Sequence, residues 1–368
     1  MNLRPWRGLV SAVAAVLQSG VVPSLAAQPV DPQVLLTVGT AAAHRGETAY
    51  GEIRVPAGTD GGLAISVAVV HGAHPGPVVA LLAGSHGTEY ASIVALTRLI
   101  RRLPPGALAG SVIVVPLTNP ASFEQMTVHV NPVDGKSLFG PDPDSAGTQT
   151  PRLLATLAEL VVKPADVVVD LHGGDLDEDA RPFSLWLRGG EAAQDSASLR
   201  LVLAFGLDHV MVRDVDKGDA KSRLGLPDLA LGLGKTVLLA AAGRSGLVLP
   251  EDLTLLEDGL LGVLASLRMI EGTAHPVEHP VFMDRGKRAL ADGSGMFYST
   301  VARGDEVAEG ERVGYTTDYL GRGTGDVRAP ASGIVTLVRG VPSVWKGATL
   351  VAVSSVMAKA PPYVKPAR

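Results

Sequence analysis

Three side chains in this chain have the types and spacing that chemistry needs. His86 and Glu89 are three residues apart, just after the apolar run Val78–Ala83, and His172 closes a second apolar run, Val167-Val168-Val169-Asp170-Leu171-His172. If the turn after the first run is helical, the imidazole and the carboxylate lie on one side and reach one ion. Two histidines and one glutamate leave a fourth position for water, which is the donor set of a catalytic zinc rather than a structural one. A lone His-x-x-Glu also arises by chance. Two strand ends, each followed by glycine, are stronger evidence, because open α/β sheets place their sites at the carboxyl ends of strands.

The elements that must position these residues follow a strand–helix rhythm. Strands are expected at Val78–Ala83, Ser111–Pro116, Ala165–Leu171, Phe183–Leu187 and Lys235–Ala240, with helices at Ala91–Leu103, Gln149–Val162 and Glu251–Gly272. A few antiparallel strands precede them between Val34 and Val70. The fold class expected is α/β, a mixed sheet flanked by helices. From His279 to Val353 no helix is expected, and short β-like runs alternate with Gly-Asp, Glu-Gly, Ser-Gly and Lys-Gly turns. That pattern reads as a C-terminal all-β, barrel-like domain. Within it, Gly304–Gly310 and Ala329–Val335 resemble turns of a biotinyl/lipoyl-type barrel. The stretch Asp318 to Val327 has no lysine for a covalently carried cofactor.

With 368 residues the chain can build two domains and a sizeable core. Its formal charge of −5, with no basic run, gives no sign of a nucleic-acid partner. Arg4 and Arg7, the apolar stretch from Gly8 to Val22, and Ser24-Leu25-Ala26 have the layout of an export signal. Periplasmic or secreted localisation is therefore expected, with no membrane span once the signal is removed. The chain has no cysteine, so a zinc ion could be held only by histidines and carboxylates. The expected division is 1–26 signal peptide, 27–275 zinc-binding α/β domain, 276–358 small all-β domain and 359–368 tail.

Taken together, these residues resemble the succinylglutamate desuccinylase/aspartoacylase family, relatives of the zinc carboxypeptidases. The resemblance begins at Gly72-Ala73-His74-Pro75-Gly76-Pro77 and His86-Gly87-Thr88-Glu89. It continues through Thr118-Asn119-Pro120, Asn131-Pro132-Val133-Asp134-Gly135-Lys136 and Asp170-Leu171-His172-Gly173-Gly174. It implies that His86, Glu89 and His172 are zinc ligands, and that Asn119 and Lys136 face a small-molecule substrate. Asp170 shares a strand face with His172. Two roles stand for it: orienting a ligand from behind, or serving as a helix cap or strand-end hydrogen bond.

Two departures from the family pattern matter. Where the family continues through Asn-Leu-Asn-Arg, this chain reads Ser137-Leu138-Phe139-Gly140-Pro141, without the arginine expected to hold a carboxylate or an oxyanion. Where the family carries its general-base glutamate after a buried strand, this chain has Ala241. The acids that could substitute for the missing base are Asp175, Asp177, Glu178 and Asp179, with Glu251 and Asp252. The first run reads most simply as a solvated loop, and the second pair as a helix N-terminus. Arg181 and Arg244 are the cations that could substitute for the missing arginine. Two functions remain open. One is a zinc-dependent hydrolase of the deacylase type, acting on an acyl–nitrogen or ester bond of a small molecule. The other is a catalytically silent zinc- and ligand-binding protein on the same fold.

Overall fold

The computed structural model describes residues 34–139, 147–215, 225–359 and 361. The expected signal peptide, most of the expected tail, and Gly140-Pro141 of the shortened loop lie outside the described residues. Among the described residues no helix is long and apolar enough to cross a membrane.

A mixed sheet of nine strands forms the centre. In spatial order they are Val281–Met283, His209–Asp214, Phe183–Arg188, Thr236–Ala241, Val167–His172, His74–Ala83, Ala109–Val115, Leu63–His71 and Glu47–Val55. The three strands Thr236–Ala241, Val167–His172 and His74–Ala83 are parallel neighbours. Ala83 pairs in register with Leu171, and Ala241 with His172, so all three chains leave the sheet at one edge.

Two-residue periodicity divides the apolar runs between the two faces of this sheet. Val79, Leu81, Ala83, Val169 and Leu171 join the cluster packed beneath helices Tyr90–Arg102, Ala192–Phe205 and Pro250–Ser266. Ala80, Leu82, Val168, Val237 and Leu239 join the opposite cluster, with helices Gln149–Leu157 and Leu226–Gly232. Each buried valine or leucine contributes about 1.5–3 kcal/mol. With both faces covered, these strands carry continuous apolar runs.

Two sequence expectations change in length. The helix expected at Gln149–Val162 is α-helical to Leu157 and continues as a π turn over Ala158–Val162. The helix expected to reach Gly272 stops at Ser266, because Arg268 takes a left-handed backbone, φ +58°. Helix Ala192–Phe205 was not anticipated. Its buried residues include Ser196 and Ser198 beside Leu199, Leu201, Val202 and Phe205, so no single apolar stripe marks it.

The C-terminal region is β-rich. One antiparallel set comprises Lys287–Leu290, Thr349–Ser354, Gly333–Arg339 and Glu306–Val307; another comprises Gly323–Arg328, Arg312–Thr317, Gly295–Ser299 and Ser343–Val344. The first set also takes in Glu178–Ala180 from the α/β part, with Glu178 opposite Arg339 and Ala180 opposite Leu337. The two parts thus share a sheet and belong to one compact unit.

Candidate functional site

The shared sheet edge brings the three sequence-selected side chains together. Gly84 makes the turn out of strand His74–Ala83 with φ +68°, and a Cβ there would stand 2.9 Å from Leu117 Cδ1 and 3.0 Å from Leu117 Cα. Glycine is therefore needed where the chain reverses. The His86–Glu89 segment is a turn ahead of helix Tyr90–Arg102, closed by a 3.3 Å bond from the Glu89 N–H to the His86 carbonyl. It has the proximity that a helical turn would give, without being part of the helix.

Glu89 Oε1 lies 2.9 Å from His86 Nδ1, and Glu89 Oε2 lies 2.8 Å from His172 Nδ1. The Gly173 N–H also donates to Glu89 Oε2, at 3.1 Å. One donor atom from each of His86, Glu89 and His172 lies within 4.8 Å of the others. Glu89 and His172 are buried, and His86 is half-buried. Burial alone would raise the Glu89 pKa, but the charges and hydrogen bonds of His172 and His86 bring it down to about 2. Burial would lower that of His172, yet Glu89 and Asp170 hold it well above the usual histidine value.

The cluster fits a divalent zinc ion by the chemistry of its donors, two imidazoles and a carboxylate. His172 Nε2 and Asp170 Oδ1 are both buried without a hydrogen bond, although His172 Nε2 lies only 3.3 Å from Asp170 Oδ2. Asp170 thus stands behind the imidazole, on the side away from Glu89, where a carboxylate orients a metal-bound histidine.

The other residues selected from sequence fare differently. Asn119 is buried; its Oδ1 accepts from the Ser122 N–H and its Nδ2 donates to the Ser85 carbonyl, so it caps a helix and ties two loops. Lys136 Nζ donates to Thr148 Oγ1 at 2.9 Å. Ala241 pairs with His172 and is buried, presenting a methyl group on the same face. Phe139 lies with its ring centroid 5.0 Å from those of both His86 and His172, so an aromatic ring covers both imidazoles. Arg244 is paired with Glu251 at 2.6 Å, and Arg181 lies 3.1 Å from His209 Nδ1.

The acidic run after His172 is not the solvated loop expected. Asp175 is fully buried and Asp177 nearly so. Asp175 accepts from Thr88 Oγ1, from the His129 N–H at 3.2 Å, and pairs with His129 Nδ1 at 2.9 Å. Asp177 Oδ2 accepts from Arg339 Nη1 at 2.8 Å, while its Oδ1 lies 3.3 Å from His129 Nε2. Burial opposes the charge on His129, but these two aspartates, with the charge of Glu178, push its pKa up to about 10. The partners come from distant stretches, which is why local composition gives no hint of the burial. His86, His129 and Asp175 also form a second group whose donor atoms lie within 4.8 Å of one another.

Residues 75–242 match the family model of the succinylglutamate desuccinylase/aspartoacylase catalytic domain. Over those residues the chain is similar to this family, and its homologues are hydrolases of the deacylase type. Among its relatives is the N-alpha-acetyl-L-2,4-diaminobutyric acid deacetylase of Halomonas elongata, 29% identical over 323 residues, spanning 84% of this chain and 92% of that protein. A solved succinylglutamate desuccinylase/aspartoacylase from Rhodobacter sphaeroides is 26% identical with a TM-score of 0.73, covering 85% of this chain and 96% of that one. The product-bound ectoine utilization protein EutE (DoeB) from Ruegeria pomeroyi shares the fold, with a TM-score of 0.75 at 22% identity over 89% of this chain and 99% of that one.

Proposed function

We propose that this chain is an exported, zinc-dependent hydrolase that removes the acyl group from a small N-acyl amino acid or a related ester. His86, Glu89 and His172 would hold the ion, with Asp170 orienting His172. When bound there, zinc supplies Lewis-acid polarisation of the acyl carbonyl and a lowered pKa for water. The observation that carries the reading is one carboxylate meeting two imidazoles, at 2.9 and 2.8 Å, at the ends of adjacent parallel strands. The substrate class is drawn from the Halomonas elongata relative, which acts on an N-acetylated diamino acid. Export rests on the segment from Arg4 to Ala26. Residues 276–358 are read as a barrel-like all-β domain that holds Asp177 and the Glu178–Ala180 strand in place.

Phe139 forms an apolar wall beside both imidazoles. It occupies the loop in which the family carries its arginine, so a substrate carboxylate is not clamped there. The silent-binder reading has one observation in its favour, the methyl of Ala241 beside His172.

Elemental analysis of the purified chain tests the metal claim. About one zinc per chain is expected, falling to background in His86→Ala. A panel of N-acyl amino acids and activated esters then separates the two readings. Chelator-sensitive turnover supports the hydrolase; saturable binding of the same compounds without turnover supports the binder.

A further inference from the structure

Glu178 lies between the two loops that matter most to this site. Its N–H donates to the Asp175 carbonyl at 2.9 Å, and its carbonyl accepts from the Ser245 N–H at 2.7 Å. The loop leaving His172 and the loop leaving Ala241 are therefore both fastened to this one residue. Gly174 permits the approach, since a Cβ there would stand 2.5 Å from the Glu178 carbonyl oxygen. Asp179, the next residue, turns to Arg303, with Oδ1 3.1 Å from Nε. Side chains alternate along a strand, so Glu178 projects to the other side. The charges that bear on its carboxyl are those of His129, Glu89, His86 and Asp175, drawn from the two donor groups described above.

The neighbouring acids are already committed. Glu89 meets two histidines, Asp170 stands behind His172, Asp175 holds Thr88 and His129, and Asp177 holds His129 and Arg339. Among the described residues, the Glu178 carboxylate has neither a hydrogen bond nor an ion pair. It is half-buried and so remains reachable.

We propose that Glu178 is the general base of the reaction, replacing the carboxylate missing at Ala241. Resting on the deacylase reading above, this assigns it one proton and two transfers. Glu178 takes a proton from the attacking water as the water oxygen bonds to the acyl carbon. It returns that proton to the departing nitrogen as the carbon–nitrogen bond breaks, leaving a carboxylic acid and a free amine. Burial raises the proton affinity of Glu178, with the nearby Glu89 and Asp175 adding to the rise and His129 and His86 opposing it. A carboxylate whose proton affinity is raised is a stronger base than an ordinary one.

The test is Glu178→Gln in the full, zinc-loaded chain, with zinc content, thermal midpoint and product binding by calorimetry measured beside kcat and KM across pH. The expected result is a loss in kcat of about 10²–10⁴, with KM, zinc content and product affinity kept within about twofold and the acidic limb of kcat/KM abolished. A kcat within about threefold of native, with an unchanged pH profile, overturns the proposal. So does loss of zinc in a folded Glu178→Gln, which would make the residue part of the metal's support. If Glu178→Gln does not fold, Glu178→Asp decides: a reduced kcat with the acidic limb displaced supports the base, and native kinetics overturn it. If the native chain turns over no member of the panel, the deacylase reading itself fails and takes this assignment with it. Native turnover with an indifferent Glu178→Gln removes only the assignment.

Discussion

Strands Val167–His172 and Thr236–Ala241 run side by side in register, yet they end in opposite chemistry. The first ends in an imidazole held by Glu89 in front and backed by Asp170. The second ends in the methyl of Ala241, and the acids nearby come from Asp175 to Glu178, in a loop secured by His129, Arg339 and Ser245. The first end draws its support from its own strand and the adjacent turn. The second depends on the β-rich C-terminal region. Donor geometry set by sheet register is hard to move without moving the sheet, whereas a proton-handling carboxylate can enter from any loop that reaches the same space.

Breaking the borrowed support should have the larger effect. Arg339 and Asp177 are both buried, and Arg339→Met leaves the aspartate facing only His129. A stability loss of about 3–5 kcal/mol, read from the urea midpoint, is expected for removing one partner of such a pair. A loss below about 1 kcal/mol would mean that the C-terminal region is incidental to this loop. Asp170→Asn probes the self-contained end. It should weaken zinc affinity by about 10–100-fold, measured by competition with a chromophoric chelator, with the fold unchanged. The smallest effect concerns pH. His129 has a folded pKa raised to about 10 from a reference of 6.5, so its stabilising contribution is complete below about 6.5 and lost as pH climbs through about 10. The thermal midpoint of the native chain should fall across that window more steeply than that of His129→Asn. Parallel curves for the two proteins would show that the imidazolium adds nothing to stability.

Much of the sheet was legible because its apolar runs are continuous and end in glycine, so His86, Glu89 and His172 could be assigned to strand ends before their contacts were known. Asp170 could likewise be placed on the His172 face by alternation alone. Asn119 and Lys136 were drawn toward substrate by resemblance, but backbone and hydroxyl partners claim their side chains. The acidic run was misread for a different reason. A string of aspartates and a glutamate reads as solvated unless buried cations meet it, and here Arg339, Arg303 and His129 come from far along the chain. The absence of glutamate at 241 was visible in sequence, and Glu178 stood among the acids that could replace it, but the backbone bond that ties Glu178 to the loop leaving Ala241 was not.

The pairing of Glu178–Ala180 with Gly333–Arg339 has a consequence for how such a chain could change over time. Slippage by a single position in that ladder would turn every side chain on the short strand over. Asp179 and Glu178 would then exchange faces. A one-residue insertion in a remote hairpin could thus silence or retune the proton handling proposed for Glu178 while His86, Glu89 and His172 stayed where they were.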